Sequence, residues 1–159
     1  MTRSFFGFTL IELMVVVAVI AILALLAVPS FQQRIVRDQI VDGSTLAAIA
    51  KAPIASHWSA NKELPADNAS IGLPAADKVV SNLVRSVAVE DGAIHMTFGN
   101  RASGLLRDRT LSLRPAVVDD APIVPVAWVC GFASAPKNMT VHGVNKTDIP
   151  KRYLPLNCL

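Results

Sequence analysis

The chain has 159 residues, of which 52% are apolar and only 17% charged, and its mean hydropathy is +0.46. That length fits one small folded domain with an appendage, and the composition excludes a disordered chain, which needs low hydrophobicity and high charge. The net charge of +3, from 15 Lys and Arg against 12 Asp and Glu, is too mild to mark a nucleic-acid binder. A polytopic membrane protein is excluded as well, because the apolar excess lies in the first 28 residues and no second long apolar run follows.

After MTRSFFG, the chain from Phe8 to Val28 reads FTLIELMVVVAVIAILALLAV, with Glu12 as its single charge. As a helix this run would be ~32 Å long, about the hydrocarbon thickness of a bilayer. Arg3 precedes it and the next basic residue is Arg34, which predicts a cytoplasmic N-terminus and an exported remainder. A cleaved secretory signal has a shorter apolar core and a small-residue site such as A-x-A, which Leu25-Leu26-Ala27 does not supply. A plain anchor accounts for the length but leaves Glu12 unexplained, because an intramembrane acid is costly and calls for a partner. An all-round apolar helix rich in Val, Ile and Ala suits both lipid and the interior of a helix bundle.

Pro29 removes a backbone donor and is expected to break or kink the helix. Beyond it, Val36, Ile40, Ala47, Ala50, Ile54 and Trp58 recur at helical spacing, with Arg34, Arg37, Asp38 and Asp42 turned away. This predicts an amphipathic helix over 29–59, with Gly43 and Pro53 weakening it enough for curvature or a second kink. From Phe8 to Ser59, one continuous helix would span ~78 Å.

Residues 60–82 read as a connecting loop, with Pro65, Gly72 and Pro74 between Asn61 and Asp77 and a short turn over Ala75–Leu83. Val84–Glu90 and Ala93–Phe98 alternate on either side of Asp91-Gly92, a strong hairpin signal. Gly99–Asp108 is a second turn region. Thr110–Pro115 is a third strand, and Pro122–Phe132 holds a fourth that begins after Pro125. A helix followed by three or four antiparallel strands within 83–132 is an α+β arrangement, a long helix packed on a small sheet. The two cysteines, Cys130 and Cys158, would form one disulfide in an exported chain and remain free thiols in the cytosol.

No catalytic, cofactor or metal signature appears. His57, His95 and His142 are not in metal-ligand spacing, and His95 is expected mid-strand on an exposed or half-buried face. Neither a nucleotide-binding nor a hydrolase motif occurs, so no small-molecule substrate is expected. Three strings match the N-glycosylation pattern, at Asn68, Asn138 and Asn145, and read as ordinary loop residues. Arg101, Arg107, Arg109 and Arg114 could form a basic strip for DNA phosphates or a partner. The alternative is a solvated face paired with Asp108, Asp119 and Asp120.

The string GFTLIELMVVVAVIAILALLAVP resembles the N-terminal segment of type IV pilins and their pseudopilin relatives. The resemblance implies that residues 1–7 are a leader ending at Gly7, removed by a membrane-embedded prepilin peptidase, and that the new N-terminus, Phe8, is N-methylated. It makes Glu12 the fifth mature residue, which pairs with the terminal amine of a neighbouring subunit during assembly, and Pro29 the helix break. Residues 8–28 become the membrane anchor and filament core.

The C-terminal stretch resembles type IVa pilins through Trp128-x-Cys130, Ile149-Pro150, Tyr153-Leu154-Pro155 and Cys158, which implies a disulfide-bounded loop over 130–158. Between Ser59 and Ala127 the resemblance holds only in outline. In the chain-entropy model, closing a loop of about 29 residues contributes ~3.6 kcal/mol.

The function implied is the major subunit of a type IV pilus, supporting adhesion, twitching motility and DNA uptake. Its partners would be copies of itself, the peptidase, an assembly platform with its ATPases, and minor pilins. It would reside first in the inner membrane and then in a cell-surface filament. A minor pilin or a secretion pseudopilin is the alternative within the family. The tail's single acid, Asp148, argues against the calcium-bound tail usual in pseudopilins. A membrane-anchored periplasmic binding module, which would retain Met1, is the alternative from another class.

Overall fold

A computed structural model describes residues 7–159, apart from the side chains of residues 26–30. The chain divides into two units, Met1–Ile35 and Val36–Leu159. Helix α1 (Leu10–Ser44) begins in the first. Thr9 opens it: the Thr9 carbonyl accepts the Leu13 N–H at 3.2 Å, and the Thr9 hydroxyl accepts the Glu12 N–H at 3.3 Å. From residue 7 to residue 25 every side chain is exposed, on all sides of the helix. The expected break at Pro29 is not an end of the helix, because α1 is helical on both sides of it. An interior proline forfeits one backbone hydrogen bond and can bend a helix without stopping it.

The second unit contains the rest of α1, a 3-10 turn at Thr45–Ala47, and α2 (Ala48–Asn61). All six positions of the apolar stripe, Val36, Ile40, Ala47, Ala50, Ile54 and Trp58, are buried. The irregularity begins at Thr45, one residue beyond Ser44 and close to Gly43, and Pro53 is accommodated within α2. Gly43 is there for space, since a Cβ would come within 2.6 Å of Phe98 Cε1. Helix α2 runs two residues past the expected Ser59. Lys62 then adopts a left-handed conformation, and its N–H closes the last turn on the Trp58 carbonyl.

Strands β1 (Val84–Glu90) and β2 (Ala93–Phe98) form the expected hairpin, with an irregularity between Val84 and Ser86. Strand β3 (Thr110–Val117) continues two residues beyond Pro115, and β4 (Ala127–Cys130) follows. The sheet is antiparallel, in the order β1-β2-β3-β4. A short strand, β5 (Thr140–Val141), was not anticipated. Ala116 pairs with Ala127 of β4 and with Val141 of β5, so β5 lies on the β2 side of β3, beyond the end of β2. The helix stripe packs on Val84, Val87, Ile94, Met96, Phe98, Leu111 and Leu113, together with Ile149 and Leu154 from the tail. This is the α+β arrangement, a helix on a small antiparallel sheet.

His95 is only 4% exposed, which corrects the expectation of an exposed or half-buried face. Its Nδ1 lies 2.9 Å from the Ser112 hydroxyl on the neighbouring strand, a partner distant in sequence, while its Nε2 is buried without a hydrogen-bond partner among the described residues.

Candidate assembly sites

In the first unit the functional candidates cluster at the start of α1. Residues 1–6, most of the expected leader, lie outside the described residues. Gly7 has open space around it, with no atom within 4 Å of a Cβ placed there. Phe8 is 77% exposed. Thr9 and Glu12 stand in the T-x-x-E relation of a capping box, and the half formed by the Thr9 hydroxyl is present. Glu12 occupies the first turn, where the helix dipole favours a carboxylate. The sequence reading missed Thr9, although the T-x-x-E spacing ahead of an apolar run was there to find it.

Beyond Glu12, Leu13 to Leu25 expose apolar side chains in every direction. Such a surface is stable in lipid or among other helices, and not in water. Among the described residues no helix is long and apolar enough to cross a membrane. The fully described apolar stretch, Leu10–Leu25, is ~24 Å long at 1.5 Å per residue.

In the second unit the C-terminal loop is closed by the Cys130–Cys158 disulfide. Gly131 turns the chain at φ +54°, where a Cβ would meet the Cys158 carbonyl at 2.8 Å. The loop is tied down along its length. Asn145 Nδ2 donates to the Gly131 carbonyl at 2.8 Å, and the Lys146 N–H donates to the Ser112 hydroxyl at 2.9 Å. The Ser112 N–H donates to the Thr147 hydroxyl at 3.0 Å, and the Thr110 N–H to Asp148 Oδ1 at 2.6 Å. Ile149, Tyr153 and Leu154 are buried. The tail is therefore an integral layer of the fold.

The four arginines are not one free strip. Arg109 pairs with Asp148 at 3.5 Å. Arg114 is half-buried on β3 and donates to the Gly131 carbonyl at 3.2 Å. Arg101 and Arg107 are exposed in the turn region after β2. The acids have other partners than those expected: Asp108 pairs with Arg85 and Asp119 with His142. Hydrogen bonds from Thr140 and His142 hold the Asp119 carboxyl below its ordinary range. Burial holds the His95 imidazole below its usual 6.5. Among the described residues no group of three or more His, Cys, Asp or Glu is placed to hold a metal ion.

Asn68 is not an ordinary loop residue. It is 8% exposed. Its amide donates to the Pro74 and Val87 carbonyls at 2.9 and 3.0 Å, and its oxygen accepts the Val89 N–H at 2.6 Å. This side chain fastens the connecting loop to β1.

Comparison with known proteins agrees with both halves of this description. The family profile described as Pilin (bacterial filament) matches residues 36–159. The prokaryotic N-terminal methylation motif matches residues 2–28. A fimbrial protein of Neisseria meningitidis serogroup A is 30% identical, with 96% of this chain and 92% of that protein covered. Fimbrial protein EcpC of Eikenella corrodens is 31% identical over 96% of this chain and 89% of its own length. A type IV major pilin protein, PilE, of Neisseria gonorrhoeae is 30% identical over 96% and 92%.

Proposed function

Because this chain belongs to the type IV pilin family, whose members are structural filament subunits and not enzymes, we propose that it is a major pilin, the repeating subunit of a cell-surface pilus. The observation that carries this reading is a helix whose apolar side chains are exposed on all sides from Leu10 to Leu25, with one acid in its first turn, in the same chain as a disulfide-closed α+β head. A subunit that buries such a helix against copies of itself has a use for every part of it.

The leader is removed between Gly7 and Phe8 by a prepilin peptidase, and Phe8 is then N-methylated. Before assembly, residues 8–28 hold the subunit in the inner membrane. In the filament the same helix lies among its neighbours, and the Glu12 carboxylate meets the amine of another copy's Phe8. A buried ion pair contributes more to register than to net stability, but removing one partner leaves an uncompensated charge. An assembly platform and minor pilins are further partners. Adhesion and twitching motility are the roles of the finished filament. Any contact with DNA phosphates falls to Arg101 and Arg107, since Arg109 and Arg114 are already engaged.

The test is Glu12→Val. Losing one member of the pair costs on the order of 3 kcal/mol, about a hundredfold in the equilibrium for subunit addition. Sheared filaments should fall accordingly, while the amount of subunit in the membrane fraction stays the same. Undiminished filaments would refute the role given to Glu12. Loss from the membrane as well would place Glu12 in insertion instead.

A further inference from the structure

The second unit carries opposite chemistry at its two ends, and the elements that meet its helices define those ends. At the beginning, Arg37 Nη2 donates to the Arg152 carbonyl at 2.9 Å, and Pro155 and Asn157 share a crevice with Ile40, Val41 and Ser44, which Lys51 also lines. At the far end, Ala55, Ser56 and Ser59 line a hollow with residues 122–126 of the β3–β4 connection. Trp58 lies 6.5 Å from His142, which pairs with Asp119 of the same connection. About sixteen helical residues separate the two ends, ~24 Å along the axis.

The beginning of the unit presents an apolar shelf with basic residues around it. Leu156 is 85% exposed and Phe132 41%. The Phe132 N–H donates to the Cys158 carbonyl at 2.9 Å, which keeps its ring beside the tail. Lys151 Nζ lies 5.0 Å from the centre of that ring. Lys151 and Arg152 are exposed, and among the described residues neither is ion-paired. The far end presents the reverse, an apolar knob flanked by acids. Ile123 is 89% exposed, more than any other large hydrophobic side chain among the described residues. Asp120, exposed and not ion-paired among those residues, stands three positions before it, next to Asp119.

Neither surface is complementary to itself, since each would bring like charges together. They are complementary to one another. Two different, mutually complementary patches at opposite ends of a subunit make a heterologous contact, whose repetition gives an open fibre when the rotation between copies does not close a ring.

We propose that the heads stack end to end in the filament, with Ile123 and Asp120 of one copy seated on Phe132, Leu156 and Lys151 of the next. The proposal rests on the filament-subunit reading and adds the surfaces by which neighbouring heads find their register.

The test uses the full chain in filaments sheared from cells. Ile123→Cys and Leu156→Cys are introduced together and treated with a short bismaleimide. The double variant should give a ladder of dimers, trimers and longer chains, and each single variant should give none, because neither patch meets itself. A ladder from a single variant, or no ladder from double-variant filaments whose subunits begin at Phe8, overturns the proposal.

Charge exchange tests it independently if the thiol variants do not assemble. Asp120→Lys alone or Lys151→Glu alone inverts an exposed pair and should weaken each contact about fivefold, lowering filament yield. The two together should restore the yield. A double variant as poor as the product of the singles overturns the proposal. Absence of filaments from the unsubstituted chain would instead defeat the filament-subunit reading, so the two failures are distinguishable.

Discussion

Replacing Asn68 with alanine removes the side chain that joins the connecting loop to the sheet. Three hydrogen bonds are lost, to the Pro74 carbonyl, the Val87 carbonyl and the Val89 N–H. Each is worth about 1 kcal/mol net, and two of the partners left behind, the Val87 carbonyl and the Val89 N–H, belong to buried residues, so the total is about 3 kcal/mol. Against the 5–15 kcal/mol typical of a small domain, that loss is large. Asn68→Asp keeps the acceptor for Val89 but points a carboxylate at two carbonyls. It should lose a similar amount at neutral pH and less in acid, where the protonated carboxyl can donate. The assay is urea unfolding of the full chain in detergent, followed by the fluorescence of Trp58 and Trp128, both of which lie in the second unit. A shift for Asn68→Ala below about 0.5 kcal/mol would refute the reasoning, because it would mean that water replaces all three bonds at little cost.

Removing the disulfide with Cys130→Ser and Cys158→Ser together should cost about 3.6 kcal/mol, from releasing a loop with a sequence separation of 28. The same urea titration reads this loss, and reducing the unsubstituted chain should reproduce it. Gly43→Ala adds a good helix former, worth about 1 kcal/mol, but its Cβ lands 2.6 Å from Phe98 Cε1 and 3.3 Å from Val84 Cγ2. Phe98 is fully buried and the atom met belongs to its rigid ring, so overpacking wins and the net loss should be about 1 kcal/mol. His95 has a folded-state pKa below its unfolded value of 6.5 because burial disfavours the charged ring. The unfolded chain therefore takes up the proton first, and this contribution to stability is complete above pH 6.5 and lost as the pH falls below it. Glu90 and Lys146 act on the ring in opposite senses. His95→Gln should flatten the decline in urea midpoint between pH 7 and 5.

The stripe from Val36 to Trp58 was legible because helical periodicity and burial coincide at all six positions. The β1–β2 hairpin was legible because alternation and Asp91-Gly92 agree, and Gly92 takes the positive φ of +78° that such a turn requires. What local pattern could not supply were the long-range partners. The two-residue strand β5 is too short for any alternation, and its pairing is set by β3, more than twenty residues earlier. His95 is buried because Ser112 arrives from the next strand with a hydroxyl. The tripeptide around Asn68 looks like a modification string, yet its side chain is taken up by β1, up to 21 positions away. Gly43 read as a helix weakness, but it is the one residue small enough to let Phe98 reach the helix. At the N-terminus the sequence carried more than was read from it, since Thr9 and Glu12 already had capping-box spacing.

The central claim is that this chain is processed after Gly7 and polymerises through an exposed apolar helix. Intact mass and N-terminal peptide mass, measured on filaments sheared from the cell surface, test it most directly. The account predicts an abundant chain that begins at a methylated Phe8 and is two hydrogens lighter than its reduced form. A chain found only in the membrane fraction, with residues 1–7 still attached, would contradict it and leave a membrane-anchored module in its place.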